Sequence, residues 1–173
     1  INYIFAIFFR ELYFRVFKTS AIKKAETFFG GQMNIFLPAG TDIFITGGKS
    51  HDSEIRLAKY LVKNLQDGDT FLDVGAHFGY FTLLASHLVG AKGIVYGFEP
   101  SPSTFNILKL NTITEQNIHI INKLVADKNI SISFYEFPNK YSEYNTTEIK
   151  KIKNLAWYKK NKPKIIDVDS IIL

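Results

Sequence analysis

Two short stretches hold residue types whose spacing allows joint chemistry. The first is Asp73-Val74-Gly75-Ala76-His77-Phe78-Gly79, where an apolar strand end runs into a helix start. Glycine at position 75 permits a tight turn and close approach of a ligand to bare backbone, and Gly79 lets the first helical turn pack near the strand. The second is Glu99, at the end of the next apolar run, Ile94–Phe98. A carboxylate there can accept hydrogen bonds from both hydroxyls of a ribose, or it can stabilise the N-terminus of the helix that follows. The glycine loop on the preceding strand favours the ribose. Two better-known phosphate loops are excluded. His77 stands where a dinucleotide fingerprint needs its middle glycine, and no Gly-Lys-Ser/Thr follows Gly75.

These residues need a scaffold that brings two strand ends side by side. A helix capped by Asp52 or Ser53 carries Ile55, Ala58, Leu61, Val62 and Leu65 on one face. Thr70–Val74 then reads as a buried strand, followed by a helix with Phe81, Leu84, Ala85 and Leu88 on one face. Ile94–Phe98 is a second strand, and Ser101 or Ser103 caps a helix running through Phe105, Leu108 and Asn111. Asn117–Val125 contains a third strand, and Ile130, Ile132 and Phe134 alternate as a further one. Strand, helix, strand, helix, strand at this spacing calls for a parallel sheet with right-handed crossover helices. Ligands of such sheets bind at the carboxyl ends of the strands. The expected fold is therefore α/β and Rossmann-like, with Thr70–Val74 at or near an edge and the next two strands successively outward. Ahead of it, residues 1–20 show helical spacing of Ile4, Phe8, Leu12 and Val16, and residues 27–46 read as short strands broken by Gly30-Gly31 and Pro38-Ala39-Gly40. The expected division is an extension over 1–50 and a ligand-binding domain over 51–173.

The loop spacing matches the D-x-G-x-G-x-G turn that wraps the methionine half of S-adenosylmethionine, with its second glycine replaced. Phe71–Ala85 followed by Val95–Asn111 resembles the FkbM-type methyltransferases, class I enzymes that use S-adenosylmethionine and mostly methylate hydroxyl oxygens of sugars, glycolipids and polyketides. Ala76 and His77, the Glu99-Pro100 pair, the Leu110-Asn111 helix end and the stretch Asn122–Phe134 all follow that pattern. The resemblance covers about residues 33–135 well. It implies that Asp73, Gly75, Ala76, His77, Gly79 and Tyr80 line the methionine and ribose side, that Glu99 holds the ribose and that Pro100 borders the adenine. Ala126 and Asp127 fall in the loop that faces the adenine in related enzymes, although Asp127 reads equally as a solvated turn residue. Glu54 has two readings, a contact to the cofactor's amino group or a first-turn helix carboxylate. His77 reads as a cofactor contact or cap rather than a base, and His87 and His119 as structural. No catalytic base is assigned, and no ligand cluster implies a metal.

Composition narrows the rest. The chain has 173 residues, 46% apolar and 21% charged, with no cysteine, which excludes disulfide scaffolds, thiolate metal sites and cysteine nucleophiles. Residues 1–149 balance 14 basic against 14 acidic side chains, so the net charge of +5 comes from seven lysines over Lys150–Lys164 against Asp167 and Asp169. A lysine cluster confined to one segment reads as a solvated loop and argues against nucleic acid. Its rival is an RNA methyltransferase using those lysines with Trp157 and Tyr158. A third reading is a fold remnant without turnover. The start at Ile1, the apolar end and the lack of a lysine–aspartate–glutamate–glycine strand give the expectation of the N-terminal part of a longer enzyme. The expected acceptor is a small molecule or a carbohydrate or lipid-linked hydroxyl. The expected location is cytoplasmic, with peripheral membrane contact through residues 1–20 as the alternative to a helix packed on the domain.

Overall fold

The computed structural model describes residues 8, 12–13, 15, 21–151, 153, 158 and 160–173. Of the segment 1–20, Phe8, Leu12, Tyr13 and Arg15 are helical, and Tyr13 packs on the core; its membrane reading otherwise lies outside the described residues. No helix among the described residues is long and apolar enough to cross a membrane.

A hairpin comes first, β1 (Ala21–Glu26) antiparallel to β2 (Gln32–Leu37). The next segment, expected as a strand, is instead helix α1 (Thr41–Thr46). Side chains decide this locally: the Thr41 hydroxyl donates to the Pro38 carbonyl at 2.7 Å, and Asp42 accepts from the Ile43 N–H at 2.8 Å. Such bonds satisfy first-turn groups that a strand would have needed a partner to satisfy. Helix α2 (Asp52–Asn64) follows, capped by His51 rather than by Asp52 or Ser53. A cap must lie outside helical geometry; His51 does, and its ring accepts from the Ser53 N–H at 3.3 Å.

The central unit is β3 (Thr70–Val74), α3 (Tyr80–Val89), β4 (Ile94–Phe98), α4 (Pro102–Thr112) and β5 (Ile118–Ile121). Its three strands are parallel in the order β3-β4-β5, so Thr70–Val74 forms an edge as expected. Leu72 and Val74 on that edge strand are about half exposed. The expected third strand is split. Leu124–Val125 (β6) leaves β5 and pairs with β8 (Lys164–Ile171), which also pairs antiparallel with β7 (Ser131–Glu136). The closing segment is thus a strand. It turns Val168 and Ser170 inward and Asp167 and Asp169 outward, at the period of two that a half-covered strand requires.

The hairpin and the central unit share one hydrophobic cluster, in which Met33, Ile35 and Leu37 meet Phe78, Tyr80 and Ile107. Buried Asn111 fastens it. Its amide donates to the carbonyls of Asn34 (2.8 Å) and Phe78 (2.7 Å), and its oxygen accepts from the Asn34 N–H at 2.6 Å. Removing that side chain leaves buried polar groups unmatched, at about 1–3 kcal/mol each. Asn111→Leu is therefore expected to lower the unfolding free energy by at least about 2 kcal/mol, read as a lower urea midpoint. A midpoint within error of the parent would mean the hairpin is held by apolar packing alone.

Candidate functional site

Strands β3 and β4 end side by side, and the loop between β3 and α3 folds back over the tip of β4. The N–H groups of Gly75 and Ala76 both donate to the Phe98 carbonyl at 2.9 Å. The His77 N–H donates to Glu99 Oε2 and the Ser101 N–H to Glu99 Oε1, each at 2.9 Å. Glu99 thus pins the loop and steadies the entry to α4, the structural role considered for it. Each carboxylate oxygen accepts one backbone bond and keeps capacity for another. Burial pushes the Glu99 carboxyl up to about 7, opposed by those two N–H groups and reinforced by Asp73 and Glu136.

A cavity of about 670 Å³ opens at these strand ends, within the range of small-molecule sites. Gly75, Ala76, His77, Tyr80, Glu99 and Pro100 all line it. Gly75 holds φ of +82°, and a Cβ built there would meet nothing within 4 Å, so the space above it is open for a ligand. His77 also takes a left-handed φ of 53°, which presses its ring against Phe78 and lets Nε2 bond the Ser142 hydroxyl at 2.8 Å. Desolvation, aided by the Lys49 charge, holds the imidazole down to about 3, so it is neutral at pH 7 and a poor base.

Four expected site residues stand elsewhere. Asp73 turns under α3, where its carboxylate accepts from the Thr82 hydroxyl at 2.6 Å, and burial raises its pKa. Gly79 is a packing position; a Cβ there would lie 2.7 Å from Leu108 Cδ1. Ala126 and Asp127 fall outside the residues that line the cavity, because the chain leaves β5 for the second sheet at Leu124, and Lys123, Leu124 and Val125 form that wall instead. The Thr82 bond engages Asp73 under α3, and Thr82→Val is expected to cost about 1–3 kcal/mol while leaving cofactor affinity unchanged. Loss of affinity at full stability would return Asp73 to the site.

Sequence reasoning missed two walls, apart from Glu54 in the second. One is the segment from the 3₁₀ turn Asn139–Tyr144 to Thr147, which brings Ser142 and Asn145 to the cavity. It has no periodicity, so nothing local marks it. The other lies between α1 and α2. There Asp42, its pKa raised by burial, accepts from the N–H groups of Ile43 and Ser50, and Lys49 pairs with Glu54 at 3.0 Å. Glu54 therefore lines the cavity, although its carboxylate is already engaged. Among the described residues no group of His, Asp and Glu could hold a metal ion.

A parallel sheet with crossover helices, a glycine turn after its first strand and an acidic residue at the tip of the second define the class I S-adenosylmethionine-dependent methyltransferase architecture. Residues 73–171 match the model of the methyltransferase FkbM domain, more than half of the chain, and the protein belongs to that family. The chain is also similar to the probable cobalt-precorrin-6B C(15)-methyltransferase (decarboxylating) of Saccharolobus solfataricus, 29% identical over 125 residues, covering 69% of this chain and 61% of that protein. The chain thus spans less than two thirds of that relative's length. Among solved structures it is similar to an S-adenosylmethionine-dependent O-methyltransferase of Thermotoga maritima, at 12% identity and a TM-score of 0.39, covering 91% and 80% of the two chains. It is also similar to fibrillarin of Aeropyrum pernix with natively bound S-adenosylmethionine, at 16% identity and a TM-score of 0.37, covering 60% and 57%. Both structural likenesses are too partial to bear on substrate.

Proposed function

We propose that the cavity at the ends of β3 and β4 holds S-adenosylmethionine for methylation of a hydroxyl oxygen on a sugar, glycolipid or polyketide-type acceptor. The observation that carries the cofactor assignment is the open space over Gly75 beside a buried carboxylate with acceptor capacity to spare. When bound, the cofactor supplies a methyl group already activated on a sulfonium centre. Glu99 accepts from the ribose hydroxyls, Pro100 with Lys123, Leu124 and Val125 borders the adenine, and the Gly75 turn gives the ligand passage along the backbone. The wall of Asp42, Lys49 and Glu54 supplies both signs of charge for an amino-acid end. The chain's own work is then alignment and exclusion of water, because the methyl is activated before it arrives.

The preference for a hydroxyl acceptor rests on the family resemblance. Against an RNA acceptor, Tyr158 packs edge-on to Phe137 and Lys162 covers its ring at 4.4 Å, so that ring is already engaged within the chain. Trp157 lies outside the described residues. Titration calorimetry with S-adenosylhomocysteine tests the cofactor reading: saturable one-to-one binding is expected, and no heat at millimolar ligand sinks it in favour of a remnant fold. Binding of single-stranded RNA that falls steeply with salt would instead support the nucleic-acid reading.

A further inference from the structure

A second cavity, of about 490 Å³, lies against the outer face of α2. Phe28, Ile55, Ala58, Val62 and the Tyr80 ring make its apolar lining. Ile55, Lys59, Val62 and Lys63 form one stripe of the helix, since residues three and four apart share a face. Val62 and Phe28 are each about half exposed on the cavity. Lys59 and Lys63 also line it, and neither has an acidic partner among the described residues. Lysine stems can extend along apolar surface while their ammonium groups stay at the water boundary. The site therefore combines an apolar trough with two lysines that have no acidic partner among the described residues. Lys49 and Tyr80 line both this cavity and the one at the strand ends, so the two share a wall.

We infer that this second cavity binds a single-chain anionic amphiphile, its alkyl chain along Phe28, Ile55 and Val62 and its acidic head on Lys59 and Lys63. The volume, about 490 Å³, is that of a small-molecule site and has room for one alkyl chain. Tyr80 and Lys49 line both cavities, and the binding proposed here does not rest on the methyl-transfer reading above.

The test is calorimetry of this chain with dodecyl phosphate below its micelle concentration, with dodecyl maltoside as the uncharged match. Saturable binding of the phosphate, weaker by about tenfold or more in Val62→Glu and in the double variant Lys59→Glu/Lys63→Glu, is expected. Lys59, Val62 and Lys63 are exposed on α2, and circular dichroism checks that both variants fold. S-adenosylhomocysteine affinity should be the same in parent and variants. Equal affinity for the maltoside, no effect of either variant, or adsorption only to anionic phosphatidylserine vesicles without monomer binding overturns the inference. Dodecyl phosphate binding without S-adenosylhomocysteine binding would keep the site and remove the methyl-transfer reading. The reverse result would do the opposite.

Discussion

Gly75→Val is expected to abolish S-adenosylhomocysteine binding, a loss of about 100-fold or more, with only a modest loss of stability. The argument rests on what surrounds the missing side chain. A Cβ at Gly75 meets no protein atom within 4 Å, so the new isopropyl group enters the cavity and not the core. Its folding cost is that of a left-handed φ for a branched residue, about 1–3 kcal/mol. Gly68 supplies the control. It has φ of +91° and equally open surroundings, and it does not line the cavity. Gly68→Val should therefore carry the same strain and leave affinity intact. Gly79→Val should cost more stability than either, because its Cβ would also lie 2.7 Å from the buried Leu108 Cδ1, and crowding of this kind adds about 1–3 kcal/mol to the backbone strain. Equal affinity losses at 68 and 75 would show strain, not occupancy, to be the cause.

The second expected result concerns Glu99. Glu99→Ala should weaken S-adenosylhomocysteine binding by about 1.5–3 kcal/mol, the scale of hydrogen bonds to a charged group. A pH series separates this role from the carboxylate's structural one. Two ribose hydroxyls favour the ionised form, and burial holds the free site at about 7. Affinity should rise about tenfold between pH 6 and pH 8 and be flat in Glu99→Gln. Stability moves in the opposite sense. A carboxyl raised from 4.5 in the unfolded chain to about 7 contributes stability that is fully present below pH 4.5 and lost as pH rises through 7. Glu99→Gln removes that slope. An affinity that ignores pH, with stability still responding, would leave Glu99 only as the staple between His77 and Ser101.

The sheet and its ligand edge were legible in the chain because they rest on local signals. Short apolar runs at Thr70–Val74 and Ile94–Phe98, amphipathic helices between them, and the chirality of crossover connections are enough to order three strands. Gly75 and Glu99 were legible for the same reason, since a strand end places whatever residue stands there. The side-chain directions were not. Whether Asp73 faced the ligand or the helix depended on Thr82 presenting its hydroxyl 2.6 Å away, and whether residue 127 reached the cavity depended on where β6 found its partner. Those are pairings between residues far apart in sequence, decided by what burial leaves unsatisfied.

The wall formed by Ser142 and Asn145 came from an aperiodic turn held by Tyr135 and Phe137 through Thr146 and Asn145, and by His77, 65 residues earlier, through Ser142. The helix at Thr41–Thr46 was decided by Asp42 and Thr41 bonding their own backbone, against the strand preference of the isoleucines beside them. By itself, then, the sequence determined the fold class, the family and the two strand-end residues, Gly75 and Glu99, on which the proposed cofactor site rests, because periodicity and turn chemistry act over a few residues. Tertiary structure alone decided which neighbouring side chains face that site, because each polar group goes where its long-range partner is.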